Sequence, residues 1–152
     1  MTIRTHSAEE TYALGTRLGI MAQPGQVYAL KGDLGSGKTV LTKGFAAGLG
    51  VEEPVTSPTF TILMVHESGR LPLYHYDVYR ISDPDEMDEI GFDEYVYGEG
   101  VSLIEWAEKV EELLPPDAFA ITIERDRAGG TDDRVIRMEG ISFDENGPGK
   151  DG

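Results

Sequence analysis

A mixed-sheet α/β domain is the fold class this sequence predicts. Helix-period and strand-like segments alternate in the first half of the chain, and hairpin-like strand pairs dominate the second half. Between them, a glycine-rich turn joins an early apolar strand to an amphipathic helix. At 152 residues the chain suits one compact domain. A domain of that length buries roughly 70% of the surface its unfolded chain exposes, so it needs no metal or disulfide staple.

Ser7-Ala8-Glu9-Glu10 has the capping-box form, with Ser7 as N-cap, and Leu14, Leu18 and Met21 follow at helical spacing. Pro24-Gly25 closes that unit. Val27 to Leu30 is an apolar run of strand length, and a second helix is expected from about Lys38 to Leu49. Thr59 to His66 reads as a strand, Glu67 to Arg70 as a hairpin turn, and Leu71 to Tyr79 as the returning strand. Asp83-Pro84-Asp85-Glu86 marks a helix start, with proline at the first position and acids in the first turn; Gly91 closes it. Val101 to Ile104 is a buried strand, and Ala107 to Leu114 a short helix stopped by Pro115-Pro116. Phe119 to Glu124 and Arg134 to Glu139 form a last antiparallel pair around Gly129-Gly130. Residues 1–140 are therefore expected to make one domain. Residues 141–152, acidic and glycine-rich, are expected to be a disordered tail.

Composition narrows the function. There are no cysteines, so disulfides and thiolate zinc sites are excluded. No apolar run reaches the roughly 18 residues of a membrane span. The first residues lack a signal peptide's apolar centre, and a cytoplasmic protein is expected. The formal charge of −15 disfavours direct, tight binding of nucleic acid. It would repel a nucleotide too, so any anion site must supply its own positive field.

Gly32-Asp33-Leu34-Gly35-Ser36-Gly37-Lys38-Thr39 supplies one. It matches G-x-x-x-x-G-K-[ST] in full and lies between a strand and a helix, where the mechanism requires it. Glycines let successive backbone N–H groups turn toward phosphate oxygens, and the helix beginning near Lys38 adds its positive dipole end. Lys38 reaches the β- and γ-phosphates as a point charge, and the Thr39 hydroxyl is placed for Mg²⁺. The expectation is a P-loop domain that binds a nucleoside triphosphate. Such a loop also needs an acid on the magnesium side at a strand end. Glu105 ends the run Val101 to Ile104, and Asp77 lies within Tyr74 to Arg80; either or both fit. Ser57 and Thr59, in Thr56-Ser57-Pro58-Thr59, sit where P-loop proteins place a phosphate-sensing switch, although serine and proline also suit an ordinary turn.

Other signals carry less. Asp88-Glu89-Ile90-Gly91 has a D-x-x-G form but follows no apolar strand. No N-K-x-D guanine reader exists, and Asn146 is the one asparagine, so adenine is the better base. His6, His66 and His75 lack ligand-like spacing, which leaves Mg²⁺ as the metal. Trp106 reads as a packed aromatic beside Glu105. Arg125, Arg127, Arg134 and Arg137 stand among acids with which they can pair.

The P-loop is joined by Ser57-Pro58-Thr59-Phe60, by His75-Tyr76-Asp77-Val78-Tyr79-Arg80 and by Glu105-Trp106. In this combination the chain resembles the TsaE family, from about Ser7 to Met138. The resemblance implies a P-loop ATPase with a mixed sheet, weak alone, that works with the TsaD and TsaB proteins in threonylcarbamoyladenosine modification of tRNA. It implies ATP and Mg²⁺ as cofactors, with phosphate on Lys38 and Mg²⁺ on Thr39. Glu105 would be the magnesium-side acid, and Asp77 an acid acting through the metal or the attacking water. Thr59 would belong to the switch, Trp106 would stand beside the site, and Thr11 and Arg134 would approach the nucleotide. Two other readings remain at this stage. A small P-loop metabolite kinase would use the Arg125–Arg137 hairpin as a lid, and a nucleotide-binding switch would not hydrolyse at all.

Overall fold

The computed structural model describes residues 1–33, 35–56, 62–89, 91–96 and 98–141. Within them a seven-stranded sheet is built from β1 (Thr2–Thr5), β2 (Val27–Lys31), β3 (Leu63–His66), β4 (Leu73–Asp77), β5 (Val101–Glu105), β6 (Phe119–Arg125) and β7 (Arg134–Glu139), in the spatial order β1-β7-β6-β2-β5-β4-β3. The central strands β6, β2, β5 and β4 run parallel. β3 joins one edge antiparallel, and β7 then β1 join the other. The mixed sheet predicted from sequence is present.

Alternation along the strands divides the core. Tyr28 and Leu30 of β2 and Leu103 of β5 face α1 (Ala8–Met21) and α2 (Lys38–Leu49). Val27, Ala29 and Ile104 face the opposite layer, which holds α3 (Glu86–Glu89), α4 (Phe92–Val96) and a 3₁₀ helix (Ala107–Leu113).

α1 starts as its sequence dictates. Ser7 Oγ accepts the Glu10 N–H at 3.1 Å. Glu10 reaches back, but to the His6 N–H at 3.2 Å rather than to that of Ser7. α1 and α2 then pack backbone to backbone through Gly15 and Gly19 on one helix and Gly44 and Gly48 on the other. A Cβ on Gly44 would run into the Tyr12 carbonyl, and one on Gly15 into that of Leu41. This contact fixes the height at which α2 begins, and so the place of the P-loop.

Several boundaries differ from the sequence reading. The helix expected from Asp83 is the short α3, with Gly91 at φ 73° just beyond it as expected; the further short helix α4, from Phe92, was not foreseen. Ala107–Leu113 takes 3₁₀ form, kinked at Val110 (φ −128°). β1 was not foreseen; its four residues are held by register with β7, Ile3 opposite Ile136. Ile141, the first residue of the expected tail, packs against the core. Residues 142–152 lie outside the described residues, as do Leu34 of the P-loop and the switch candidates Ser57 and Thr59. No helix among the described residues is long and apolar enough to cross a membrane.

Candidate functional site

β2 is buried from Val27 to Leu30, and it delivers the chain to the P-loop at the carboxyl end of the parallel strands, where open α/β sheets bind ligands. The turns that follow need glycine: Gly35 has φ 75° and Gly37 has φ 108°, a region side-chain-bearing residues rarely occupy. Gly37 is the N-cap of α2. It provides no side-chain cap, and the first turn of α2 holds no acid. The N-terminal N–H groups of this helix are thus left to an outside acceptor.

Lys38 is buried, 6% exposed. Its ammonium donates to the carbonyls of Gly32 and, at 2.9 Å, Asp33, and it lies 3.8 Å from the centroid of the Trp106 ring, a cation–π contact. Burial pushes its pKa down, while the charges of Glu105, Glu108, Asp33 and Asp77 pull it back up. Ser36 is buried inside the loop, and its Oγ has no partner among the described residues. An orphaned hydroxyl beneath a row of glycines suits a polar ligand. Thr39 is exposed at the first turn of α2.

Asp77 and Glu105 close the ends of β4 and β5 and are direct register partners. They therefore stand side by side on the face that carries α2. Glu105 is 2% exposed, and its Oε2 accepts from His75 Nε2 at 2.5 Å. Asp77 is half-buried, and its Oδ1 accepts the Tyr79 N–H at 3.0 Å. Burial raises the Asp77 pKa, opposed by the Tyr79 hydrogen bond and reinforced by the Glu105 charge. Two neighbouring carboxylates of this kind offer oxygen donors only. That chemistry suits a hard divalent cation such as Mg²⁺, which would also relieve their repulsion.

Trp106 follows Glu105 with φ 62°, the one non-glycine residue at positive φ among the described residues. Residues held in sparsely populated backbone regions cluster at functional sites. The ring packs against Tyr79, with centroids 4.7 Å apart, while its other contact is Lys38. Trp106 thus packs against the core and also lies against the P-loop lysine.

Arg134 supports the loop from the far side. Its Nε donates to Ser36 O at 2.6 Å, and Arg125 Nε donates to Gly35 O at 3.4 Å. Thr11 is buried, with its Oγ1 2.7 Å from that of Thr5. Thr11 and Arg134 line a small cavity of about 40 Å³ together with Gly37 and Val40, so two distant segments do reach the start of α2. Of the other hairpin residues, Arg137 pairs with Glu124, and Asp126 pairs with Arg4 of β1. Sequence reasoning set His75 aside for lack of ligand spacing. The signal that could have found it is strand period two, which puts His75 on the same face as Asp77.

The chain matches the model of the family described as threonylcarbamoyl adenosine biosynthesis protein TsaE over residues 5–135. A relative from Bacillus subtilis (strain 168), tRNA threonylcarbamoyladenosine biosynthesis protein TsaE, is 49% identical over 138 residues, 91% of this chain and 84% of that one. The protein of the same name from Treponema pallidum is 46% identical over 119 residues, 78% of this chain and 87% of its own. The crystal structure of Bacillus subtilis YdiB superposes with a TM-score of 0.73 at 46% identity, covering 90% of this chain and 82% of that one.

Proposed function

The chain belongs to the TsaE family, and from that premise we propose that it is a magnesium-dependent ATPase serving threonylcarbamoyladenosine modification of tRNA in the cytoplasm, in complex with TsaD and TsaB. The observation that carries the chemistry is the complete P-loop at the β2–α2 junction, facing a carboxylate pair at the ends of the two adjacent strands.

The geometry of the described residues and the family resemblance support these roles. Backbone N–H groups from Asp33 to Thr39 and the open start of α2 bind phosphate. Lys38 leaves the Gly32 and Asp33 carbonyls for the phosphates, a charge held in a buried setting where it is worth more than in water. Thr39, Glu105 and Asp77 are the residues that would hold Mg²⁺, which when bound neutralises charge on the phosphates. Of the two acids, Asp77 is the less buried. It is the acid we assign to orienting the attacking water. Thr11 and Arg134 border the nucleotide, and Ser57 and Thr59 belong to the phosphate-sensing switch.

Partner activation is consistent with the arginines that touch the loop. Arg125 and Arg134 donate to loop carbonyls, and a partner's guanidinium would add stabilisation of transition-state charge. The net charge of −15 fits protein partners better than tRNA itself. The test is ATP hydrolysis by the purified chain with and without TsaD and TsaB. Strong stimulation, lost in Lys38→Ala and Asp77→Ala, is the expected result. ATP binding with no stimulation would remove the partner-activated reading, and a phosphorylated metabolite would replace it with a kinase.

A further inference from the structure

His75 is a buried group beside the site to which the proposed chemistry gives no role. It precedes Asp77 by two residues on β4, so both side chains stand on one face of the sheet. Its register partner on β5 is Leu103, and Glu105 lies two residues beyond. The imidazole therefore meets Glu105 diagonally, within reach for a side chain of its length. Nε2 and Oε2 are 2.5 Å apart, and the residues are 1% and 2% exposed. A carboxylate only accepts, so Nε2 is the donor. The other ring nitrogen, Nδ1, is buried without a partner among the described residues. A polar ring half-satisfied in the core costs stability relative to an apolar residue of its size. Its one hydrogen bond goes to a single oxygen of a single acid.

We propose that His75 is a positioning residue for Glu105: its N–H fixes the carboxylate through Oε2 and leaves Oε1 as the oxygen offered to magnesium. The proposal rests on the reading of this site as one for ATP and Mg²⁺. Without the donor, a buried carboxylate beside Asp77 loses the hydrogen bond that holds its rotamer, and its second oxygen is no longer presented in one direction. Partners of metal-binding carboxylates typically matter by on the order of 10–100-fold in metal affinity.

The experiment measures affinity for a fluorescent ATP analogue with Mg²⁺ and with EDTA, so that binding is read apart from hydrolysis. His75→Phe fills the ring's space without a donor, and His75→Gln retains one. His75→Phe is expected to leave the EDTA affinity within about twofold and to lose most of the gain that Mg²⁺ brings, while His75→Gln keeps the larger part of it. In a Glu105→Gln background, His75→Phe is expected to add nothing, because the two changes remove one interaction. His75→Leu, equally without a donor, decides in the same way if the Phe variant does not fold. A full Mg²⁺ gain in the donor-less variants would overturn the proposal, as would equal losses in the Phe and Gln variants. A wild-type protein that binds the nucleotide with no Mg²⁺ gain would overturn the magnesium reading itself. That outcome is distinct, because it appears before any variant is made.

Discussion

α1 and α2 lie side by side on one face of the sheet, yet their ends are treated in opposite ways. The start of α1 is closed by its own chain, through Ser7 and Glu10, with Glu9 and Glu10 in the first turn. Its far end is closed as well, because Arg70 Nη2 donates to the carbonyls of Gly19, Ile20 and Ala22 at 2.8 Å each. α2 has a closed far end too, where Gly50 at φ 85° and Val51 return N–H groups to the last turn. Its start alone is open, with no cap and no acid. The difference teaches how an acidic protein makes an anion site. It withholds, at one helix end, the side chains that it supplies at the others.

Filling the open end should have the largest effect. Gly37→Asp would place a carboxylate where phosphate binds, at a φ that disfavours any side chain. Nucleotide affinity should fall roughly a thousandfold, about 4 kcal/mol, in a titration with a fluorescent nucleotide. Retained affinity would show that the open helix end is not the anion site. Next comes the contact that holds the two helices together. Gly44→Ala should destabilise the protein by about 3 kcal/mol, as overpacking does at its upper end, in urea unfolding. In an isolated helix the same change would stabilise by about 1 kcal/mol, so the sign of the result decides between tight and loose packing.

Opening the closed end of α1 is a smaller change. Ser7→Ala should cost about 1 kcal/mol of stability, seen in the same unfolding experiment, and leave nucleotide affinity unchanged. An effect on affinity would mean that the two helix starts are coupled, through Thr11 and its neighbours around Gly37.

The smallest expected effect lies just past the closed end of α2. Glu53 accepts hydrogen bonds from Ser68 and His66 and so ties the loop after α2 to the β3–β4 hairpin. These bonds, that of Ser68 foremost, lower its pKa from 4.5 to about 2. A carboxyl depressed on folding contributes stability above its unfolded pKa and loses it as pH falls toward the folded one. Wild type should therefore exceed Glu53→Gln in thermal stability at neutral pH. The difference should shrink between pH 4.5 and about 2. A difference that persists at the acid end would mean that the carboxyl's charge is not what holds the loop.

The site was legible wherever its chemistry is local. The P-loop, the strand that precedes it and the acids at two strand ends are runs of neighbouring residues whose types state their roles. His75 was not legible, because its meaning lies in a diagonal contact with a strand thirty residues away. Arg134 could be connected to the loop only by resemblance, since its bond to Ser36 spans 98 residues. The four glycines between α1 and α2 read in sequence as weak points in helices, and only the partner backbone reveals what they permit.

By itself, the sequence determined the order of strands and helices, the capped start of α1 and the phosphate loop, because propensity, capping and turn chemistry act over a few residues. The tertiary structure decided the rest. It recruited Thr2–Thr5 as an edge strand, since a four-residue strand exists only where a neighbour offers it a register. It added the short helix α4 after Gly91, where Phe92 buries against Tyr76. It also brought Asp77 and Glu105 together, because adjacency of parallel strands is set by the whole sheet and by nothing within either segment.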